Sequence, residues 1–217
     1  VTSSSLPSTI AAPVEHTLEI KRSVFLTHLA PARTVEEADA VIASIRKLRW
    51  DARHHCTALI VGTHADRQRS SDDGEPAGTA GVPMLEVLRR REMTDVVAVV
   101  SRWFGGVLLG AGGLVRAYGN AVAGALDEAA IVHRALRTHV SMDVPHADAG
   151  RVLAFLHQWV GTHDAVLDSP AYGQAATLSL WVPQDQVDAL NADLAAHTGG
   201  AIATEAGEIR VVDVPAR

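Results

Sequence analysis

Residues 96–119 read Val96-Val97-Ala98-Val99-Val100-Ser101-Arg102-Trp103-Phe104-Gly105-Gly106-Val107-Leu108-Leu109-Gly110-Ala111-Gly112-Gly113-Leu114-Val115-Arg116-Ala117-Tyr118-Gly119. The opening run is apolar without alternation and largely β-branched, as in a strand buried on both faces. Glycines punctuate Gly105–Gly113, and Leu114–Ala130 returns to helical spacing. Free N–H groups at such a helix start, with the dipole behind them, suit an anion. Standard phosphate loops do not fit. A Walker A loop begun at Gly105 meets Ala111 and Gly112 where Lys and Ser/Thr are required. A dinucleotide turn on Gly110 and Gly112 meets Val115 in place of its third glycine. The competing reading is packing, with Gly112 and Gly113 letting the helix sit close on a sheet.

Upstream lies Ser71-Asp72-Asp73-Gly74-Glu75-Pro76-Ala77-Gly78-Thr79-Ala80-Gly81, with three carboxylates in four residues. Such a loop suits a cation, a positioned water or arginines. Adjacent Asp72 and Asp73 break the alternation that a calcium loop needs. The plain reading is turns at Asp73-Gly74 and Glu75-Pro76, with Thr79 capping the next helix. Nine of the 17 glycines fall between Gly74 and Gly119, so tight turns or close backbone approach concentrate there.

Working outward, His16–Ile20 and Ser23–Leu29 predict a strand pair broken at Lys21-Arg22. Thr34–Leu48 predicts a helix opened by a capping box of Thr34 and Glu37. Thr57–Val61 predicts a strand, residues 63–80 a polar loop, Val82–Arg91 a helix with Pro83 in its first turn, and Asp95–Ser101 a strand. Beyond a boundary near His133–Arg137, strands at Thr138–Val144, Ala165–Ser169, Ala175–Val182 and Ile209–Val212 alternate with helices at His146–Val160 and Asp185–His197. That order, β-α-β-β-α-β, is the split ferredoxin-like pattern. Residues 1–13, rich in Ser, Thr and Pro, predict a flexible terminus. The organisation expected is a two-domain α+β protein, with domains at 14–135 and 136–217.

The chain has 217 residues and a net charge of −6, against the basic balance of a general polyanion binder. The acidity is not shared. Residues 1–135 carry 15 basic and 15 acidic residues, and residues 136–217 carry 4 and 10. Phosphate binding is therefore expected on the N-terminal domain. The single cysteine, Cys56, has no disulfide partner and fits a reducing cytoplasm. No apolar run spans a membrane, and the first residues lack the pattern of a secretory signal. Adjacent His54, His55 and Cys56 on a strand point to opposite faces and do not make a metal site.

Taken together, the runs Asp72–Gly81, Val99–Gly106 and Leu109–Tyr118, with Ser23-Val24-Phe25 and Ala52–Ala58, closely resemble the YigZ/IMPACT family. The chain departs from it at His55, Ala58 and Trp103, where members carry Asn, an aromatic and Tyr. The resemblance implies an N-terminal domain similar to domain 2 of ribosomal protein S5, and a ferredoxin-like C-terminal domain similar to domain V of elongation factor G. It also implies a link to translation, since the eukaryotic relative regulates translation by competing for the activator of a general-control kinase.

Two function classes follow. In the first, the N-terminal domain binds RNA or a ribosome-associated protein. Arg53, Arg67, Arg69, Arg102 and Arg116 would meet phosphates, and Trp103, Phe104 and Tyr118 would stack on bases. Its structural competitor buries Trp103 and Phe104 and pairs Arg102 with Asp72, Asp73 or Glu75. In the second class, the acidic loop and the glycine helix start form one pocket for a phosphorylated small molecule. Arg102 and Arg116 would neutralise it and a carboxylate would act as base. The candidate residues are His54, Asp72, Asp73, Glu75, Thr79, Arg102, Gly105, Gly106, Gly112, Gly113, Arg116 and Tyr118. Binding is favoured over catalysis, with no cofactor and no resident metal.

Overall fold

A computed structural model describes residues 6–215. The chain divides into two compact units, one holding the residues up to Arg134 and again from Asp213, the other Ala135–Val212. Both mix helices and strands, as an α+β chain should.

In the first unit the elements run β1 (Leu6–Ile10), β2 (Val14–Ile20), β3 (Ser23–Pro31), α1 (Val35–Leu48), β4 (His54–Val61), β5 (Arg67–Ser71), α2 (Gly81–Arg90), β6 (Val96–Trp103), α3 (Ala111–Glu128) and the start of β7 (Ile131–Val144). Five strands form one sheet in the order β2-β3-β6-β4-β5, with every neighbouring pair antiparallel. The apolar run 96–100 is explained by its place. β6 is the central strand, and it buries Val96, Ala98 and Val100 against one core and Val97 and Val99 against another. α2 and α3 cover the first face with Met84, Leu88, Tyr118, Ala121 and Val122. α1 covers the second with Ala38 and Ile45. Its Thr34 cap accepts from Glu37 N at 3.1 Å, while the Glu37 carboxylate takes Arg33 N at 2.7 Å, one residue outside the predicted box.

Two expectations change. Residues 6–10, read as flexible, form β1, paired antiparallel with Ile131–Arg134. Leu6 and Ile10, apolar residues in a polar segment, are buried; residues 1–5 lie outside the described residues. The polar loop 63–80 contains β5. Its sequence Arg-Gln-Arg-Ser-Ser has no apolar alternation, but it satisfies the outer edge of β4 and its exposed charges suit an edge strand.

The second unit comprises the later part of β7, α4 (His146–Thr162), β8 (Val166–Leu167), β9 (Ala171–Tyr172), β10 (Ala176–Pro183), α5 (Val187–Thr198) and, as far as Val212, β11 (Glu205–Pro215). The strands lie in the order β11-β7-β10-β8, with β9 also on β10. Val140, Met142, Leu178 and Leu180 from the sheet meet Val152, Leu156, Trp159, Leu190 and Leu194 from α4 and α5. Among the described residues no helix is long and apolar enough to cross a membrane.

Candidate functional site

The three carboxylates of the acidic loop go to three different partners. Asp72 acts as a remote helix cap. Its Oδ1 accepts from Ala80 N at 3.0 Å and Gly81 N at 2.8 Å, and its Oδ2 from Gly78 N at 2.8 Å. Ala80, the cap residue of α2, has no side chain able to do this. Thr79, expected as the cap, instead donates its hydroxyl to the Pro76 carbonyl at 2.7 Å. Burial by itself would raise the Asp72 carboxyl, but the N–H groups of Gly78, Gly81 and Ala80 outweigh it and hold it below its ordinary value.

Asp73 sits at φ +44°, accepting from His55 N and Arg46 Nη2, both at 2.7 Å. Its carbonyl lies 2.8 Å from His54 Nδ1. A carbonyl only accepts, so His54 carries a proton on Nδ1. Burial lowers the His55 pKa, leaving its ring, 3.0 Å from Ser101 Oγ, neutral over more of the pH range.

Glu75 points inward. Its side chain is 4% exposed and that of its partner Arg102 7%. Arg102 Nη1 and, at 2.8 Å, Tyr118 Oη both donate to Glu75 Oε1. The guanidinium lies 5.2 Å from the Phe25 ring centre, and Phe25 meets Tyr118 edge to face. Arg102 Nη2 also reaches Ser23 Oγ at 3.4 Å. Tyr118 is wholly buried and its hydroxyl pKa is pushed up by burial, so it stacks on no base. Cys56 is buried beside this cluster and burial pushes its thiol up to about 12. It donates to the Asp72 carbonyl at 3.0 Å.

The glycine loop has its close approach at Gly105, not at Gly112 and Gly113. A Cβ on Gly105 would fall 2.0 Å from the Arg22 carbonyl carbon and 2.3 Å from Ser23 N, all backbone that cannot move aside. Gly105 N donates to Ser23 Oγ at 3.1 Å. A Cβ on Gly112 would meet only Arg116 Nη1, at 3.8 Å, and one on Gly113 only Leu109 Cβ, at 3.0 Å. Neither glycine therefore has the close contact that the competing packing reading requires. Gly106 has φ +85°, and Gly110, which opens α3, has φ +70°. The helix start has no side-chain cap.

The two loops do meet. Gly74, Glu75 and Pro76 share a cleft of about 410 Å³ with Phe104, Leu108, Gly110 and Ala111, together with Arg53, His54 and Arg102. Phe104 is 42% and Leu108 82% exposed, so Phe104 is not the core residue that the structural reading made it. The Arg53 guanidinium lies 6.0 Å and that of Arg102 5.9 Å from the Phe104 ring centre. Trp103 is half-buried and donates to Asp51 at 2.9 Å. Arg116 is exposed on a different groove, with Glu86 and Arg90. The predicted set therefore splits. His54, Glu75 and Arg102 line the cleft. Gly105, Gly106, Gly112 and Gly113 do not, though their neighbours Phe104, Gly110 and Ala111 do, and Asp72, Asp73, Thr79 and Tyr118 hold its walls together. Ser23 and Phe25, which support Arg102, were missed as site residues; only their place in the family resemblance marked them. Among the described residues no group of His, Cys, Asp and Glu converges as metal ligands would.

Comparison with known proteins concerns the chain as a whole. Residues 21–126 match the family model described as Impact N-terminal domain, and residues 142–201 match a domain of unknown function (DUF1949). "IMPACT family member YvyE" of Bacillus subtilis is 35% identical, over 94% of this chain and 93% of that protein. "IMPACT family member YigZ" of Escherichia coli is 39% identical over 88% and 93%. "Protein IMPACT" of Bos taurus is 36% identical over 45% of this chain and 32% of its own length. A solved structure described as a hypothetical protein superposes with a TM-score of 0.59 at 37% identity, covering 94% of this chain and 98% of that one. A buried Arg102–Glu75 clasp under a glycine-bounded cleft thus sits inside a domain matched along most of its length, and the chain belongs to the IMPACT family.

Proposed function

We propose that this protein is a translation-associated binding factor that holds single-stranded RNA in the cleft of its N-terminal unit. The observation that carries the reading is the exposed Phe104 ring, with the Arg53 and Arg102 guanidinium groups 6.0 and 5.9 Å from its centre, beside an uncapped 18-residue helix. A base stacks on the ring, and a phosphate meets Arg53 and the free N–H groups of α3. His54, which lines the cleft, hydrogen-bonds a base edge through Nε2. The charge distribution supports this placement, because the deficit of −6 lies wholly beyond residue 135. In this reading residues 14–135 form a unit like domain 2 of ribosomal protein S5. Residues 136–217 form a ferredoxin-like unit similar to domain V of elongation factor G, for which the strand order β11-β7-β10-β8 speaks. The protein works in the cytoplasm, as does translation.

The test is a titration of single-stranded RNA at two salt concentrations, with Phe104→Ala beside the wild type. Salt-sensitive binding is expected, weakened about tenfold by the substitution, since one base–aromatic stack contributes about 1–3 kcal/mol. Absence of salt-sensitive affinity overturns the RNA reading. Retention on ribosomes without affinity for free RNA assigns the surface to a ribosome-associated protein instead.

A further inference from the structure

The β2–β3 hairpin turns through only Lys21 and Arg22, since Ile20 pairs directly with Ser23. Both turn residues have positive φ, +48° and +64°, as a two-residue type I′ turn demands. That turn favours Asn-Gly, Asp-Gly or Gly-Gly, because in the left-handed region a Cβ crowds the following carbonyl oxygen, which Gly avoids and a short polar side chain offsets by local hydrogen bonding. Here the most strained positions of the hairpin carry two long cationic side chains. Both are exposed, and among the described residues no salt bridge involves either of them. Strain kept where a cheaper sequence exists points to use of the side chains.

The tip is tied to the cleft. Its Arg22–Ser23 peptide is the surface against which Gly105 packs. Ser23 Oγ accepts from Gly105 N and Arg102 Nη2, and Phe104, the residue before Gly105, lines the cleft. The turn that carries the two cations is therefore fixed by backbone contact to Gly105, one residue from Phe104 in the cleft wall.

We infer that Lys21 and Arg22 are a phosphate-binding tip that continues the cleft, gripping the phosphodiester backbone of a strand whose base rests on Phe104. The inference rests on the RNA reading above. It concerns which residues hold the strand and why the turn is built against its own preference.

The experiment compares wild type, Lys21→Asn/Arg22→Gly and Arg89→Gln/Arg90→Gln. It measures melting temperature and affinity for a labelled oligouridylate of about 12 nucleotides over a range of salt. The tip variant adopts the preferred turn residues, so its melting temperature is expected to rise by about 4–8 °C. Its affinity at low salt is expected to fall about tenfold. The slope of log K against log salt should fall by about 1.4, for two lost phosphate contacts on a single strand. The α2 variant, with the same loss of charge elsewhere, should keep the wild-type slope. A variant that is more stable but binds with unchanged affinity and slope overturns the tip and leaves the RNA reading standing. So does an equal loss in the α2 variant, which would mean bulk charge. A drop in melting temperature overturns the strain argument. A wild type with no affinity for the oligonucleotide overturns the tip and the RNA reading together.

Discussion

Glu75→Gln tests whether the acidic loop is held by a buried ion pair. The substitution is nearly isosteric, and its amide oxygen still accepts from Tyr118 Oη and Arg102. What it removes is charge, at a site where the two side chains are 4% and 7% exposed. Unit charges about 4 Å apart attract by about 4 kcal/mol at an effective dielectric of about 20. Removing one partner of a buried pair costs about 3–5 kcal/mol, because the other charge stays behind. Arg102 cannot shed its proton, and the Phe25 ring beside it is already in place in the wild type. Against a total stability of about 5–15 kcal/mol the loss is large, with a fall in melting temperature of about 10 °C. Chemical unfolding of the wild type, Glu75→Gln, Arg102→Met and the double variant measures it. The double variant should lose less than the sum of the singles by about 2 kcal/mol. A loss below about 1 kcal/mol for Glu75→Gln, or additive singles, would refute the clasp, because it would mean that water reaches the pair.

Two further outcomes follow from the same walls. Asp72→Asn keeps an acceptor for Ala80 and Gly81 but sets an amide against Gly78 N, and should cost about 1–2 kcal/mol at neutral pH. The Asp72 carboxyl is held below 3.8 in the fold. Its contribution is thus present above that value and lost as pH falls through the lower folded-state pKa. Urea unfolding across the acid range should show the gap between wild type and variant closing below pH 3.8; a gap that persists in acid contradicts the capping role. Cys56 is fully buried, with its thiol pushed up to about 12. Iodoacetamide at mildly alkaline pH should leave the native protein unlabelled and modify it fully in denaturant. Fast labelling of the native protein contradicts its burial.

Where an element's identity depends on its own residues, it was legible. The unalternating run Val96–Val100 placed a strand with two buried faces. The helices at 34–48 and 114–130 lie within a few residues of α1 and α3. The sequence also offers Arg102 an acidic-loop carboxylate as a partner, without distinguishing Asp72, Asp73 and Glu75. β5 escaped notice because Arg67–Ser71 becomes a strand only by completing the edge of β4. β1 is not legible locally because the strand it pairs with, β7, lies more than 100 residues away. The α2 cap was misassigned to Thr79 because a helix end shows its unsatisfied N–H groups to whatever carboxylate is near in space. That carboxylate comes from Asp72, eight residues before Ala80.

By itself, then, the sequence determined the α+β composition, the main helices and strands, the domain order and the IMPACT family. Hydrophobic period and turn chemistry act over a few residues, and the family runs are contiguous. Only the tertiary structure decided that Glu75, and not Asp72 or Asp73, takes Arg102 from 27 residues away. It also set Arg116 on a separate groove and left Phe104 exposed at the mouth of a cleft. Those outcomes depend on which charges lose water together and which faces meet, and desolvation is a property of neighbours in space.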